Sequence, residues 1–148
     1  MFKYLATTAL AVVLVCGTSF SALAADHEVK MLNKGANGKI MQFEPAFLKI
    51  APGDSVTFVS VDKGHSSDSI KGMIPDGATP WKGKISQTIK VTFTKEGVYG
   101  YRCLPHYVLG MVGLIQVGDH PSNLDAAAKV KLPGAAQKAM QALLKKVK

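Results

Sequence analysis

The feature that most constrains this chain is a series of short apolar segments separated by turn residues, several of them with period-two alternation. Val56 and Phe58 alternate with polar residues in "SVTFVSVD", and Ile89, Val91 and Phe93 do so in "SQTIKVTFT". The segment "HEVKML" also alternates, and "MQFEPAFLKI", "VYGYRC" and "GMVGLIQVGD" are further short apolar segments that indicate strands. Together they make roughly six to eight short strands, which predicts an all-β sandwich or barrel. Pro45 favours an edge or bent strand within its segment.

Two stretches depart from the strand pattern. Residues 72–84, "GMIPDGATPWKGK", are rich in Gly and Pro and predict a long surface excursion, with Trp81 near the surface. Residues 121–130 and 134–148 are rich in Ala, Leu and Lys and predict two helices, the first capped by Ser122. The apolar residues of the second recur at helical spacing, so we expect an amphipathic helix docked on the sandwich: Ala136, Met140, Leu143, Leu144 and Val147.

The N-terminus has the pattern of a secretory signal. Lys3 precedes a short apolar stretch, and Ala22-Leu23-Ala24 fits a small-x-small cleavage site. We therefore expect a signal peptide at 1–24, a β-sandwich at 25–120 and a helical extension at 121–148, in an exported chain without membrane insertion. The formal net charge is +8, and removing Lys3 leaves +7. This excess favours acidic protein surfaces as partners, because scattered lysines without a recognised motif argue against nucleic acid.

The cysteine count directs attention to one thiol. The chain has two cysteines, and Cys16 lies within the predicted signal peptide. Cys103 then remains alone in an exported protein, where free thiols are unusual. We expect it to be either fully buried or bound to a metal.

Cys103, His106 and Met111 form the motif C-x2-H-x4-M between two predicted strands. A thiolate, an imidazole and a thioether suit copper, whose trigonal sites take two His and one Cys with a weak axial Met. The second imidazole must come from elsewhere, and the candidates are His27, His65 and His120. His65 is favoured because it follows a core strand beside Gly64, where the backbone can approach closely.

Three other functions remain open on the residues alone. A copper carrier would use similar ligands in a more open site. A Cys103–His106 nucleophilic pair is conceivable, although no orienting Asn or Asp is evident. A structural zinc site is a further alternative, although zinc rarely takes Met.

The segments "MLNKGANG", "GHSSDSIKGMIPDGA" and "GVYGYRCLPHYVLGMVGLIQVGD" closely resemble those of the pseudoazurins, small blue-copper proteins of the cupredoxin fold. The resemblance spans nearly the whole chain after the signal, including the C-terminal helices, which plastocyanins lack. It implies a Greek-key sandwich of about eight strands and one type 1 copper held by His65, Cys103, His106 and Met111.

The resemblance also implies a function. It points to a monomeric periplasmic electron carrier rather than an enzyme, serving acidic redox partners such as copper nitrite reductase in denitrification, or c-type cytochromes. The implied docking face has a basic rim of Lys34, Lys63, Lys82 and Arg102. Its apolar centre, around His106, comprises Pro105, Val108, Leu109, Met41 and Ala36.

Two positions depart from the family pattern. Family members usually carry Asn after the first ligand His and Thr or Ser after the Cys, where this chain has Ser66 and Leu104. We therefore expect the usual side-chain tie between the ligand loops to be missing. The backbone N–H of Ser66 should still donate to the Cys103 sulfur.

Overall fold

Eight strands form two four-stranded sheets in the computed structural model, which describes residues 23–148. The order is β2-β1-β4-β6 in the first sheet and β3-β8-β7-β5 in the second. The strand bounds are β1 Asp26–Lys34, β2 Ile40–Glu44, β3 Phe47–Ile50, β4 Ser55–Ser60, β5 Asp68–Ser69, β6 Ile89–Thr92, β7 Gly97–Arg102 and β8 Val112–Val117. The predicted sandwich of about eight strands is confirmed. The predicted signal peptide lies outside the described residues except for Leu23 and Ala24.

The segment predicted as one bent strand around Pro45 is instead two strands in different sheets. β2 pairs antiparallel with β1, whereas β3 pairs parallel with β8. Pro45 lies between them, where the chain leaves one sheet and joins the other. Proline has no N–H to give to a sheet, which makes it suited to this crossing.

The main core lies between the sheets and contains more of the Gly/Pro-rich excursion than expected. Phe43 and Phe58 of the first sheet contact Tyr101 of the second, with ring centroids 4.7 and 5.0 Å apart. Trp81 also packs on this core, stacked 5.9 Å from Phe58, and its indole N–H donates to Ser67 Oγ at 3.1 Å. Trp81 is half-buried, so it lies near the surface as expected while its indole ring packs on the aromatic core.

Two helices cover the outer face of the second sheet, as predicted. They are α1 Leu124–Ala128 and α2 Ala135–Leu144. Ala136, Met140 and Leu143 of α2 are buried in a second apolar cluster with Leu114 of β8. The predicted cap is wrong: Asn123 is the N-cap residue of α1, and its side chain bonds both backbone groups of Val98 at 2.8 Å instead of the helix.

Among residues 23–148 there is no helix with the length and apolarity needed to cross a membrane.

Candidate metal centre

The motif C-x2-H-x4-M occupies the loop between β7 and β8. Cys103 directly follows β7 and Met111 directly precedes β8. The Cys103 N–H donates to the Met111 carbonyl at 3.0 Å, and the Met111 N–H donates to the His106 carbonyl at 3.2 Å. These hydrogen bonds join the two ends of the loop, so the backbone positions from which the Cys103, His106 and Met111 side chains project are fixed.

His65 reaches this loop from the segment after β4. The backbone around it is held by Ser86, whose N–H donates to the His65 carbonyl at 2.8 Å and whose hydroxyl accepts the Gly64 N–H at 2.9 Å. His65 is 0% exposed, whereas His106 is half-buried. The expectation that His65 is the more enclosed of the two imidazoles is confirmed.

Three donor atoms converge where these two segments meet. The Nδ1 atoms of His65 and His106 are 3.1 Å apart, and they lie 3.7 and 3.5 Å from Cys103 Sγ. A point equidistant from the three atoms is about 2.0 Å from each, close to the bond lengths of a first-row metal to imidazole nitrogen and thiolate. The donor set therefore fits one metal ion, and its soft sulfur and imidazole ligands suit copper. No other group of three His, Cys, Asp or Glu donors converges in this way within 23–148.

Met111 lies beside this triangle. It is 0% exposed and belongs to the same apolar cluster as Cys103. Its position at the end of the loop, bonded through its backbone to both Cys103 and His106, keeps the thioether in the neighbourhood of the other donors. The other two histidines lie apart: His27 pairs with Asp54, and His120 is exposed after β8.

Asn33 supports His65 from β1, a role that neither hydrophobic periodicity nor the ligand motif predicts. Its Oδ1 is 2.9 Å from His65 Nε2, and an amide oxygen can only accept, so the imidazole carries its proton on Nε2. The Nδ1 lone pair of His65 is then free to bind a metal. Asn33 lies in "MLNKGANG", one of the segments that carry the family resemblance. The resemblance therefore marked this segment, whereas hydrophobic periodicity says nothing about a polar contact to His65.

Burial and hydrogen bonding act in opposite directions on Cys103. Burial raises the pKa of the Cys103 thiol, while the backbone N–H groups of Ser66 and His106 lower it. The predicted bond from the Ser66 N–H to Cys103 Sγ is present at 3.5 Å. Burial also lowers the pKa of His65, helped by the adjacent His106, so this imidazole is kept neutral. A neutral imidazole is the form that binds metals.

The two ligand loops are tied together, contrary to the expectation drawn from Ser66 and Leu104. The Ser66 hydroxyl accepts the Leu104 backbone N–H at 3.1 Å. The Leu104 side chain cannot form a hydrogen bond, so the tie is made to its backbone instead. A short hydroxyl still spans the gap, because it needs only the backbone of its neighbour.

The ligand loop that carries His106 also carries exposed apolar side chains. Val108 and Leu109 are 59% and 62% exposed, and Leu104 is 45% exposed. Lys34, Lys63 and Lys82 are exposed, as the docking-face prediction requires. Arg102 differs, because it is half-buried with its guanidinium 4.8 Å from the centre of the Tyr107 ring. The Arg102 charge therefore lies against the Tyr107 ring and is less exposed than the docking-face prediction requires.

A family profile described as "Copper binding proteins, plastocyanin/azurin family" matches residues 29–118, which contain all four predicted ligands. The chain belongs to this copper-binding family. Within it, a pseudoazurin from Paracoccus pantotrophus is 47% identical over 148 residues, covering 99% of each chain. The chain therefore belongs with the pseudoazurins, as its resemblance implied.

Solved structures of pseudoazurins support the same placement in the family. A pseudoazurin from Sinorhizobium is 48% identical, with a TM-score of 0.81 over 84% of this chain and 97% of its own. A pseudoazurin from Methylobacterium extorquens is 46% identical, with a TM-score of 0.79 over 83% of this chain and 99% of its own. The cofactor of this cupredoxin fold is one copper ion, consistent with the donor set described above.

Proposed function

We propose that this chain is a periplasmic blue-copper electron carrier in which His65, Cys103, His106 and Met111 hold one copper ion. The observation that supports this most strongly is the triangle of Nδ1, Nδ1 and Sγ atoms, 3.1 to 3.7 Å apart, with one imidazole opening onto an apolar surface. Copper bound there supplies a one-electron Cu(II)/Cu(I) couple. Export of the chain, with removal of residues 1–24, belongs to this proposal.

The protein's own residues perform three tasks. Asn33 fixes the tautomer of His65, and Ser66 holds the ligand loops together through two hydrogen bonds. Strands β7 and β8 hold both ends of the ligand loop, so the donor atoms can keep their positions when the electron arrives or leaves. His106 gives the electron the shortest path from the site to the surface, because its Nδ1 faces the donor cluster while its side chain is half-exposed.

This arrangement favours electron transfer over the alternatives. A Cys103–His106 nucleophile would need an accessible thiolate, whereas Cys103 is 0% exposed and burial raises its pKa. A copper carrier would need open access to its ligands, whereas three of the four predicted ligands are buried. We infer that the site is built to retain its metal and exchange electrons.

The partners we propose are acidic redox proteins, including copper nitrite reductase and c-type cytochromes. The apolar patch around His106 allows close contact, and the exposed Lys34, Lys63 and Lys82 steer an acidic surface toward it. An interface of this kind suits brief encounters between monomers.

Stopped-flow electron transfer to copper nitrite reductase tests this proposal. Lys63→Gln should lower the second-order rate constant several-fold at low ionic strength, and the difference should shrink as salt is added. Lys49→Gln is the matched control, because it removes the same charge from a lysine that already pairs with Asp119 at 2.6 Å. Equal rates for all three proteins at low salt would contradict the proposed docking face, and no transfer at all would contradict the proposed partner.

A further inference from the structure

Asp54 is a buried carboxylate far from the metal centre. It is 6% exposed, and it lies between β3 and β4 beside a hollow of about 340 Å³ lined by His27, Lys49, Glu96 and Asp119. His27 is six residues from Asn33 along β1, which places this end of the sheet about 20 Å from the copper ligands. Nothing in the proposed electron transfer uses it.

Three groups donate to the two oxygens of Asp54. The Ala25 N–H lies 2.9 Å from Oδ1, while the Ala51 N–H and His27 Nε2 lie 3.1 and 2.8 Å from Oδ2. Ala25 is also anchored through its carbonyl, which accepts the Ser55 N–H at 2.9 Å. Ala25 is therefore held on both sides, although it is exposed and precedes the first residue of β1.

The nitrogen that Asp54 binds belongs to the residue after the predicted cleavage site. Hydrolysis of the Ala24–Ala25 peptide bond adds one water molecule, leaves a carboxylate on Ala24, and gives Ala25 an amine that takes up the proton. We propose that Asp54 is the binding site for the new α-ammonium group of Ala25, so that removal of the signal peptide turns a neutral hydrogen bond into an ion pair with a buried carboxylate. This inference rests on cleavage after Ala24, and it is independent of the copper chemistry.

The surrounding charges are compatible with this pairing. Lys49 is the one lysine that lines the hollow, and it pairs with Asp119 at 2.6 Å. Lys49 therefore does not compete for Asp54, whose carboxylate remains available to His27 and the new N-terminus. Glu96 adds negative charge to the same hollow, which further favours a cation. The bonds to His27 and to the Ala25 nitrogen already lower the pKa of Asp54, so this carboxylate is charged at neutral pH.

The ion pair between Asp54 and the Ala25 α-ammonium group should be visible as a raised pKa of that α-amino group. An ordinary α-amino group has a pKa of about 7.7 to 8.0, and a buried opposite charge raises it. We expect a chain that begins at Ala25 to show an α-amino pKa at least one unit above that range by NMR, after labelling Ala25 with ¹⁵N. The same titration in Asp54→Asn should return to the ordinary range.

Stability provides the second measurement. The matched control is a chain that begins at Ala24, because one extra residue moves the charged group about 3.8 Å along the backbone. The chain that begins at Ala25 should melt a few degrees higher, and this difference should vanish when both chains carry Asp54→Asn. Comparing the two termini within each background removes any general destabilisation by Asp54→Asn, and the NMR titration stands even if that variant does not fold.

Three results would overturn the inference. They are an α-amino pKa within the ordinary range in the chain that begins at Ala25, equal melting temperatures for the two termini, and N-terminal sequencing of the exported protein that finds a first residue other than Ala25. Copper binding should be the same in all the chains, so failure here is distinct from failure of the proposed electron transfer.

Discussion

Asn33 offers a sharp test of how the structure prepares a metal ligand. Replacing Asn33 with Leu keeps a side chain of similar size but removes the oxygen that accepts the His65 Nε2–H at 2.9 Å. Without copper, the imidazole can move its proton to Nδ1 and recover some hydrogen bonding near His106. With copper on Nδ1, the proton must return to Nε2, where it has no partner in a side chain that is 0% exposed.

The magnitude follows from that unpaired group. A buried donor without an acceptor costs about 1 to 3 kcal/mol, which corresponds to roughly 5- to 150-fold in affinity. Loss of the group that orients a metal-binding histidine typically weakens metal affinity about 10- to 100-fold, in the same range. We therefore expect Asn33→Leu to bind copper at least about tenfold more weakly than the parent protein.

Competition with a chromophoric copper chelator measures this difference. Asn33→Asp is the matched control, since it keeps an oxygen that can accept the same proton and should retain most of the parent affinity. Circular dichroism of the copper-free proteins checks that both variants are folded. An Asn33→Leu affinity within twofold of the parent, or an equal loss in both variants, would refute the assigned role of Asn33.

Three further results are expected. Ser66→Ala should lower the melting temperature of the copper-free protein by a few degrees, because the Leu104 N–H loses its acceptor. The control Ser122→Ala should leave the melting temperature unchanged, since Ser122 is exposed and caps no helix. Copper affinity should rise with pH near neutrality, by about tenfold per unit for each proton released, because burial raises the pKa of Cys103 and the metal displaces the thiol proton; a flat profile in the chelator competition would contradict this. Gly113→Ala should destabilise the fold by about 1 to 3 kcal/mol, since a Cβ there would meet the Tyr101 ring, and an unchanged urea midpoint would show that the ring can move aside.

Periodicity predicted those parts of the fold that depend on burial of one face. The segments with alternating apolar residues appear as β4 and β6, and the apolar positions of α2 are those that pack on the second sheet. Periodicity failed where the backbone is held by specific polar contacts. β5 has two residues, Asp68 and Ser69, and carries no apolar repeat, so pattern alone could not find it.

The convergence of the donor atoms was predictable because three of the four predicted ligands lie in one motif. Cys103, His106 and Met111 lie in nine residues, and the missing imidazole required only one choice among three histidines. The supporting contacts were not predictable in this way. Asn33 reaches His65 across 32 positions, and Ser66 binds a backbone group whose place depends on the packing of two loops. Such contacts depend on the tertiary fold, so residue type alone does not predict them.

The central claim is that His65, Cys103 and His106, with Met111, form a type 1 copper site. Titrating Cu(II) into purified protein that begins at Ala25 tests it most directly. We expect one copper per chain and an intense blue absorption, which is lost in Cys103→Ser while the copper-free variant remains folded. A colourless complex with the parent protein, or a blue colour that survives Cys103→Ser, would contradict the account.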